Sequence, residues 1–501
     1  VTAANARRWR LFVLVLMLAL TVTRLWQRGM FLDGVTYAVI ARNFAIGVGT
    51  FWVPAFSDTI YREFFEQPPL GFALQGIAFI LFGDHVAVER AYSVAIFLLH
   101  GVLIAAIWRR LLPAAADWLP VLIWLAPSVV TWAVVNNMLE NTQAVFTSAA
   151  CLLLMSTSTA AQGRSTLLSA AAALAVACAA LVKGPVGLFP IAMPLLFPLL
   201  LRHHRPRHPA AVWITFVLAL ALIAAALAVY EPSRHAIAGF VDSHLSPVLA
   251  GERGIGRRSA DIARHVTLGI ALRMAIVAAL FWMARRFRAR LTTTREAAFF
   301  AALACVASVP IFVSPVLAGH YFVPSTPFFA LAFAALALPA LAAGAPSSGA
   351  RPSRVPLGLA AAMGIAATTV VLTRGSLERR DVDLIRSLDA LRGTAPAGST
   401  LGACPSMADD WGLLGYLQRF YRISLDTTGA SGRDWFLVAD GACAAPPSCR
   451  PSVETSHFVL HRCGPATPDG RLAVGTGTPF PGANAPKPAT LVQHPSPGSR
   501  R

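Results

Sequence analysis

Apolar runs long enough to cross a bilayer recur along most of the chain, at about residues 11–26, 86–107, 118–135, 142–158, 166–182, 185–201, 211–230, 266–283, 297–315, 321–343 and 355–373. Basic clusters punctuate them: "RRWR" ahead of the first run, Arg109-Arg110, Arg164, "RHHRPRH" at 202–208, "RRFRAR" at 285–290 and "RPSR" at 351–354. With about eleven spans and a cytoplasmic N-terminus, every one of these clusters falls inside, as the positive-inside trend requires. The first run has the charged front and apolar middle of a signal sequence but no small-x-small cleavage site, and it reads as an uncleaved span.

One shorter apolar stretch, Leu70 to Gly83, decides the sidedness of everything after it. Counted as a span, it would turn five basic loops outward and place the four C-terminal cysteines in a reducing compartment. At about fourteen residues it is too short to cross and reads as an interfacial or re-entrant helix. The first outer loop then runs over about residues 29–87, long for a connector and hence a candidate for function. Within it, "DGVTYAVIARNFAIG" sets Tyr37, Ile40, Ala41 and Phe44 on one helical stripe that starts at Asp33 and stops by Gly47.

Past residue 373 the pattern changes. "SLERRDVDLIRSLDALRG" is helical in period, "STLGAC", "DWFLVAD" and "SHFVLHRC" alternate as strands, and "WGLLGYLQRF" predicts a further helix. The reading is an all-α polytopic membrane domain over 1–373, a small extracytoplasmic α/β domain over 374–463, and a Pro/Gly-rich tail over 464–501 with the composition of a disordered segment. Cys404, Cys443, Cys449 and Cys463 fall in the small domain and suggest disulfides, with three pairings open. Cys151, Cys178 and Cys305 lie in apolar runs as small core residues.

Composition adds two exclusions. At 56% hydrophobic and 13% charged the chain is not a soluble enzyme with one anchor. Its net charge of +18 is that of cytoplasmic loops on a membrane protein, so no nucleic-acid partner is expected.

The span count fixes which polar residues share the outer face: Asp33, Asp58, Glu63 and Glu66 in the first loop, Glu140 in "NNMLEN", Lys183 in "LVKGP", His244 in "VDSHLSP", Arg257 and Arg258 with their neighbours, and His320-Tyr321 in "AGHYFVP". Each has a plain structural reading. Asp33 can be a helix N-cap, Glu140 an acid in a first helical turn, and Lys183 a C-terminal cation before Gly and Pro. As a set they offer carboxylates and cations converging from separate loops. Lys183 runs against the positive-inside trend at the mouth of a helix hairpin, which suggests an anionic partner such as a phosphate. Displacing a phosphate from a sugar carbon needs a base for the attacking hydroxyl and positive charge for the departing group.

The segments "FLDGVTYAVIARNFAIGVGTFWVPAF", "FFEQPPLGFALQGIAFILFGDHVAVERAYS", "MLEN", "LVKGP" and "GHYFVPSTPFFAL" resemble the GT-C membrane glycosyltransferases over about residues 10–345. The resemblance is to the bacterial branch of the dolichyl-phosphate-mannose-protein mannosyltransferases and the lipid A aminoarabinose transferase. It implies a polyprenyl-phosphate sugar donor, transfer with inversion on the outer face of the inner membrane, and juxtamembrane helices in the first loop. By the same resemblance Asp33 matches the catalytic aspartate of the first loop, Glu66 the acid before the paired prolines, Glu140 the second-loop acid, Lys183 the Lys-Gly of the later hairpin and His244 an outer-loop histidine. On this reading Glu140 assists Asp33, Lys183 with Arg257 and Arg258 holds the donor phosphate, and Glu66 with His244 either binds a divalent metal cation or forms a hydrogen-bonded acid–histidine pair. Gly34 stands where relatives usually carry a second acid, and Gln67 where many carry a basic residue. The expected partners are the lipid-linked donor, a lipid, glycan or protein acceptor, and the surrounding membrane lipids. A secondary transporter and an inactive binder of lipid-linked glycans are the competing readings, separated by assays of sugar transfer and of flux.

Overall fold

The computed structural model describes residues 3–201, 204–246, 293–313, 318–343, 353–374, 380–428, 432–439 and 443–464. It divides into two compact units, Val1–Phe56 with Arg62–Arg380, and Ser57–Tyr61 with Asp381–Arg501.

The first unit is helical. Among the described residues six helical runs are long and apolar enough to cross a membrane: Val86–Leu111, Gln162–Leu200, Pro209–Val229, Thr294–Ile311, Gly319–Pro339 and Val355–Arg374. A seventh is reached if Ala114–Trp124 and Ser128–Val135 count as one span bent by 76°. Pro127 causes that bend, since it lacks an N–H and drives Ala126 away from helical geometry.

The expected spans that fall on described residues all coincide with helix; the one at 266–283 lies outside them. The lower count has physical reasons. Helix α1 (Ala3–Val22) carries Arg7, Arg8 and Arg10 in its first half. Helix α7 (Leu139–Ser156) opens on Glu140-Asn141-Thr142-Gln143 and buries all four. The run Gln162–Leu200 hydrogen-bonds as one piece but doubles back at Gly184, where φ is +76°. A Cβ on Gly187 would sit 2.6 Å from the carbonyl carbon of Ala179, whereas eight residues of straight helix span about 12 Å. Helix α8 (Gln162–Lys183) is thus one arm of a hairpin.

The core of this unit joins Phe97, Trp108, Trp124, Phe197, Phe299 and Phe328 to small residues such as Ala172, Ala173 and Ala304. Bulky side chains fill one surface and alanines let the next helix approach, the usual packing between helices in lipid. Between α1 and the next long helix, α2 (Leu32–Ala45) and α3 (Leu70–Phe82) lie against each other. Gly76 permits this, because a Cβ there would come within 3.0 Å of the Ala41 carbonyl oxygen. At 13 residues α3 falls short of a span. Helix α4 (Val86–Leu111) follows, capped by the His85 ring, which accepts from the Ala87 N–H at 3.1 Å.

The second unit holds a five-stranded sheet in the order β2-β1-β3-β5-β4. Strand β1 (Thr400–Ala403) pairs in parallel with β2 (Ser424–Asp426) and β3 (Trp435–Ala439). Strands β4 (Cys449–Glu454) and β5 (Phe458–Cys463) add an antiparallel edge. Strands β1, β3 and β5 lie where alternation predicts them. Strand β2 is three residues long, and β4 is an edge strand containing Pro451, so neither shows in the pattern. The four cysteines pair as Cys404–Cys443 and Cys449–Cys463. Ser57–Tyr61 belongs to this unit: Thr59 Oγ1 donates to the Leu425 carbonyl at 2.7 Å, and the Tyr61 ring packs 5.4 Å from Trp411.

Candidate active site

Asp33 stands in the first turn of α2, but Phe31 is the N-cap, extended and without a side-chain cap. The capping role open to Asp33 in the sequence is therefore not the one it fills. The next residue explains a departure from the pattern of the glycosyltransferases that the sequence resembles. A Cβ on Gly34 would sit 1.8 Å from the Asn136 carbonyl oxygen. No side chain fits there while that peptide stays in place, so a second acid beside Asp33 is sterically excluded.

The Asn136-Asn137 turn fastens this region. Asn136 Oδ1 accepts from the Phe31 N–H at 2.7 Å. Asn137 adopts φ +54°, a left-handed conformation that asparagine tolerates better than most residues. Its amide nitrogen donates to the Gly34 carbonyl at 3.1 Å, while its Oδ1 accepts from Gln75 at 2.6 Å and from Ser93 at 2.9 Å. One buried side chain thereby holds the start of α2 against α3 and α4. Three residues later comes Glu140, in the first turn of α7.

Glu140 and Lys183 form the electrostatic centre. Lys183 Nζ lies 2.6 Å from Glu140 Oε1, with the two side chains 9% and 2% exposed. His320 Nε2 approaches the same oxygen at 3.6 Å. Neither carboxylate oxygen makes a well-aligned hydrogen bond among the described residues. Lys183 also donates to the Tyr37 hydroxyl at 3.4 Å, and Tyr37 donates to Asp33 Oδ2 at 3.4 Å. Both contacts are longer than the usual hydrogen-bond range, and they set cation, phenol and aspartate in one line. Burial first, and then the neighbouring Asp33, Glu140, Tyr321 and Glu66, raise the Tyr37 phenol well above its ordinary value. The phenol thus stays protonated, with its hydroxyl 3.4 Å from Asp33 Oδ2.

Aromatic rings enclose the cluster. Trp132 stacks on His320 at 5.5 Å, Phe31 packs 5.2 Å from Trp132, and the Lys183 ammonium lies 5.6 Å and 5.3 Å from the Tyr37 and Tyr321 ring centres. Trp132, Phe31 and the two asparagines escape sequence reasoning, because aromatics and amides abound in any membrane chain. The one available signal was the Asn-Asn pair directly before "MLEN".

The remaining candidates divide. Glu66 is buried near enough to act on Tyr37. Asp58 belongs to the second unit. Glu63 lies 3.8 Å from His235, both well exposed, apart from the buried cluster. Arg257, Arg258 and the side chain of His244 fall outside the described residues, so the Glu66–His244 metal pair has only its acid in view. Among the described residues no three His, Cys, Asp or Glu side chains gather as a metal site.

Beside the cluster lies an apolar groove of about 380 Å³, lined among others by Trp52, Phe65, Leu188, Leu220 and Phe240. Gln67 and Gly184 also line it. They are the chain neighbours of Glu66 and Lys183, so two positions of the groove's wall are one residue from members of the charged cluster.

Comparison with known proteins agrees with this picture. Residues 66–230 match the family model described as dolichyl-phosphate-mannose-protein mannosyltransferase. No curated protein matches the chain. Among solved structures, ArnT from Cupriavidus metallidurans bound to undecaprenyl phosphate is 18% identical with a TM-score of 0.62, over 90% of this chain and 97% of that one. The apo state of the same protein gives 18% and 0.61 over the same shares. The Archaeoglobus fulgidus oligosaccharyltransferase in complex with Zn and sulfate is 13% identical with a TM-score of 0.53, over 86% of this chain and 68% of that one. The resemblance read from the sequence is thus borne out, in sequence over residues 66–230 and in fold over nine-tenths of the chain: this is a multi-pass membrane protein with the GT-C fold of ArnT.

Proposed function

We propose that the protein transfers a sugar from a polyprenyl-phosphate carrier to an acceptor on the outer face of the bacterial inner membrane, with inversion at the anomeric carbon. The observation that carries this reading is an apolar groove walled in part by Gln67 and Gly184, the chain neighbours of Glu66 and Lys183, together with the Lys183–Glu140–Tyr37–Asp33 cluster. A lipid phosphate is apolar along its tail and anionic at one end, and the groove offers that same sequence of environments. ArnT in complex with undecaprenyl phosphate and the mannosyltransferase family match support the choice of ligand.

In this reading the tail lies along Leu188, Leu220 and Phe240, and the phosphate reaches Lys183, with Arg257 and Arg258 as further candidates to hold it. Glu140 pairs with the ammonium at 2.6 Å and fixes it inside the protein, so its part is to position Lys183. The acceptor oxygen attacks the anomeric carbon from the side opposite the phosphate, the bond from that carbon to the phosphate oxygen breaks, and the phosphate leaves with the electron pair. Asp33 accepts or orients the acceptor's proton, and Tyr37 supports its negative charge by donating to Oδ2. Where the acceptor is itself a phosphate, it arrives deprotonated and Asp33 serves for orientation alone. Positive charge waiting at the leaving group is the largest contribution such a site makes.

The test uses the purified full chain in proteoliposomes with radiolabelled polyprenyl-phosphate sugars and an envelope lipid and protein extract. Label moving from the carrier into an acceptor supports the reading. Transmembrane flux of substrate without transfer would replace it with a transporter.

A further inference from the structure

At the other end of the helices from the charged centre, a second groove of about 220 Å³ runs between α1, α4 and helix α5 (Trp118–Trp124). Val13, Met17, Leu98, Val102 and Ala105 form its apolar length, and Arg10, Arg109, Asp117 and Trp118 close one end. Gly101 lets α1 and α4 approach there, since a Cβ at that position would lie 2.9 Å from Met17 Cε. The mouth opens outward: Leu14 is 44% exposed and Val102 60%.

The polar end is built and cationic. Asp117 is buried and accepts from Arg10 Nε at 2.7 Å and from Arg109 at 2.6 Å. That one carboxylate fixes two guanidinium groups, which keep other N–H donors and remain 49% and 43% exposed. Arg7 and Arg110 stand exposed nearby in sequence, on the same helix ends. The Trp118 side chain is buried, stacked on Trp9 at 4.5 Å, and its indole N–H has no hydrogen-bond partner among the described residues. A buried indole N–H without an acceptor is uncommon, because leaving a donor unmet costs free energy.

We propose that this groove binds an anionic phospholipid of the inner leaflet, with its headgroup phosphate on Arg10, Arg109 and the Trp118 N–H and one acyl chain along Val13, Met17 and Val102. Charge complementarity selects the occupant: cations bound at the end of an apolar channel between membrane helices match a phosphate on an acyl chain. A zwitterionic lipid brings its own cation and loses that advantage. The site is separate from the sugar-transfer reading and stands without it.

The experiment is native mass spectrometry of the purified full chain exchanged into dioleoylphosphatidylglycerol or dioleoylphosphatidylcholine, beside thermal unfolding with each lipid or with inorganic phosphate. Phosphatidylglycerol should be retained roughly tenfold more than phosphatidylcholine, as expected for two guanidinium contacts. The triple variant Arg10→Gln, Arg109→Gln, Asp117→Asn removes the charge without orphaning the acid and should abolish the preference. Val102→Trp, at a lipid-facing position, fills the mouth without touching the ion pairs and should lower phosphatidylglycerol retention alone. Trp118→Phe keeps the ring and removes the donor, and should weaken retention by a smaller factor. Equal retention of the two lipids, retention unchanged in Val102→Trp, or stabilisation by inorganic phosphate matching that by phosphatidylglycerol would each overturn the proposal.

Discussion

The Lys183–Glu140 pair invites a double-mutant cycle, because its geometry fixes both the sign and the size of the expected coupling. At 2.6 Å two unit charges attract by about 6 kcal/mol at an effective dielectric of about 20. Desolvation of both groups cancels part of that attraction. What a single substitution reads is the cost of stranding the partner, and with both side chains nearly inaccessible it comes to roughly 3–5 kcal/mol. Glu140→Gln leaves a buried ammonium whose other contacts are the Tyr37 hydroxyl and two ring faces. Lys183→Met leaves a buried carboxylate with His320 Nε2 3.6 Å away. The double variant strands no charge, and the Gln amide can meet His320, so its loss should fall short of the sum by about 2–3 kcal/mol. Equilibrium unfolding of the full chain in detergent measures all four corners. Additivity within about 0.5 kcal/mol would show that the pair is not a coupled unit and would refute the assignment of Glu140 as the group that holds Lys183. Transfer activity should stay lost in the double variant, since regained stability does not return the cation.

Three further outcomes follow from the same geometry. Asp33→Asn keeps an oxygen for the Tyr37 hydroxyl and should lower sugar transfer by roughly 100-fold with little change in melting temperature; near-normal transfer would remove Asp33 from the mechanism. Gly34→Ala drives a methyl into the Asn136 carbonyl and should reduce the yield of folded protein sharply, whereas a well-folded variant would mean that the turn can shift. In the second unit, hydrogen bonds from Thr428 and then Arg433 hold the Asp426 carboxyl below its ordinary value. The folded form therefore binds fewer protons than the unfolded one, so this contribution is complete above about pH 4 and fades as pH falls through the native value. Asp426→Asn should flatten the acid limb of the stability profile, and an unchanged limb would count against it.

Much of this architecture could be read from the sequence, for reasons that individual residues make plain. The length of Leu70–Phe82 alone argues that α3 does not cross, and a lysine where the positive-inside trend expects few cations marks Lys183 as unusual. Alternation finds β1, β3 and β5 because their neighbours bury one face. It misses β4, where Pro451 and exposed side chains hide the pairing. The convergence of Asp33, Glu140 and Lys183 was anticipated as a shared face, but the line through Tyr37 was not, since a tyrosine on an apolar stripe reads as core. The roles of Trp132 and His320 depend on a stacking that joins residues nearly two hundred positions apart, and no periodicity encodes that. The sidedness argument also had no means of showing that Asp58 would belong to the second unit.

The contact between Gly34 and the Asn136 peptide constrains how such a sequence can diverge. Gaining a second acid beside Asp33 requires the Asn136-Asn137 turn to move first. Gln75 and Ser93 hold that turn through the Asn137 side chain, so a substitution at position 34 alone is expected to cost folded protein unless those contacts change with it. A chain on this branch is free to vary its groove and its acceptor surfaces one residue at a time while remaining committed to a lone aspartate. Lineages with one and with two carboxylates at this position should therefore differ together at positions 34, 75, 93 and 137, and that covariation can be sought wherever the two forms occur.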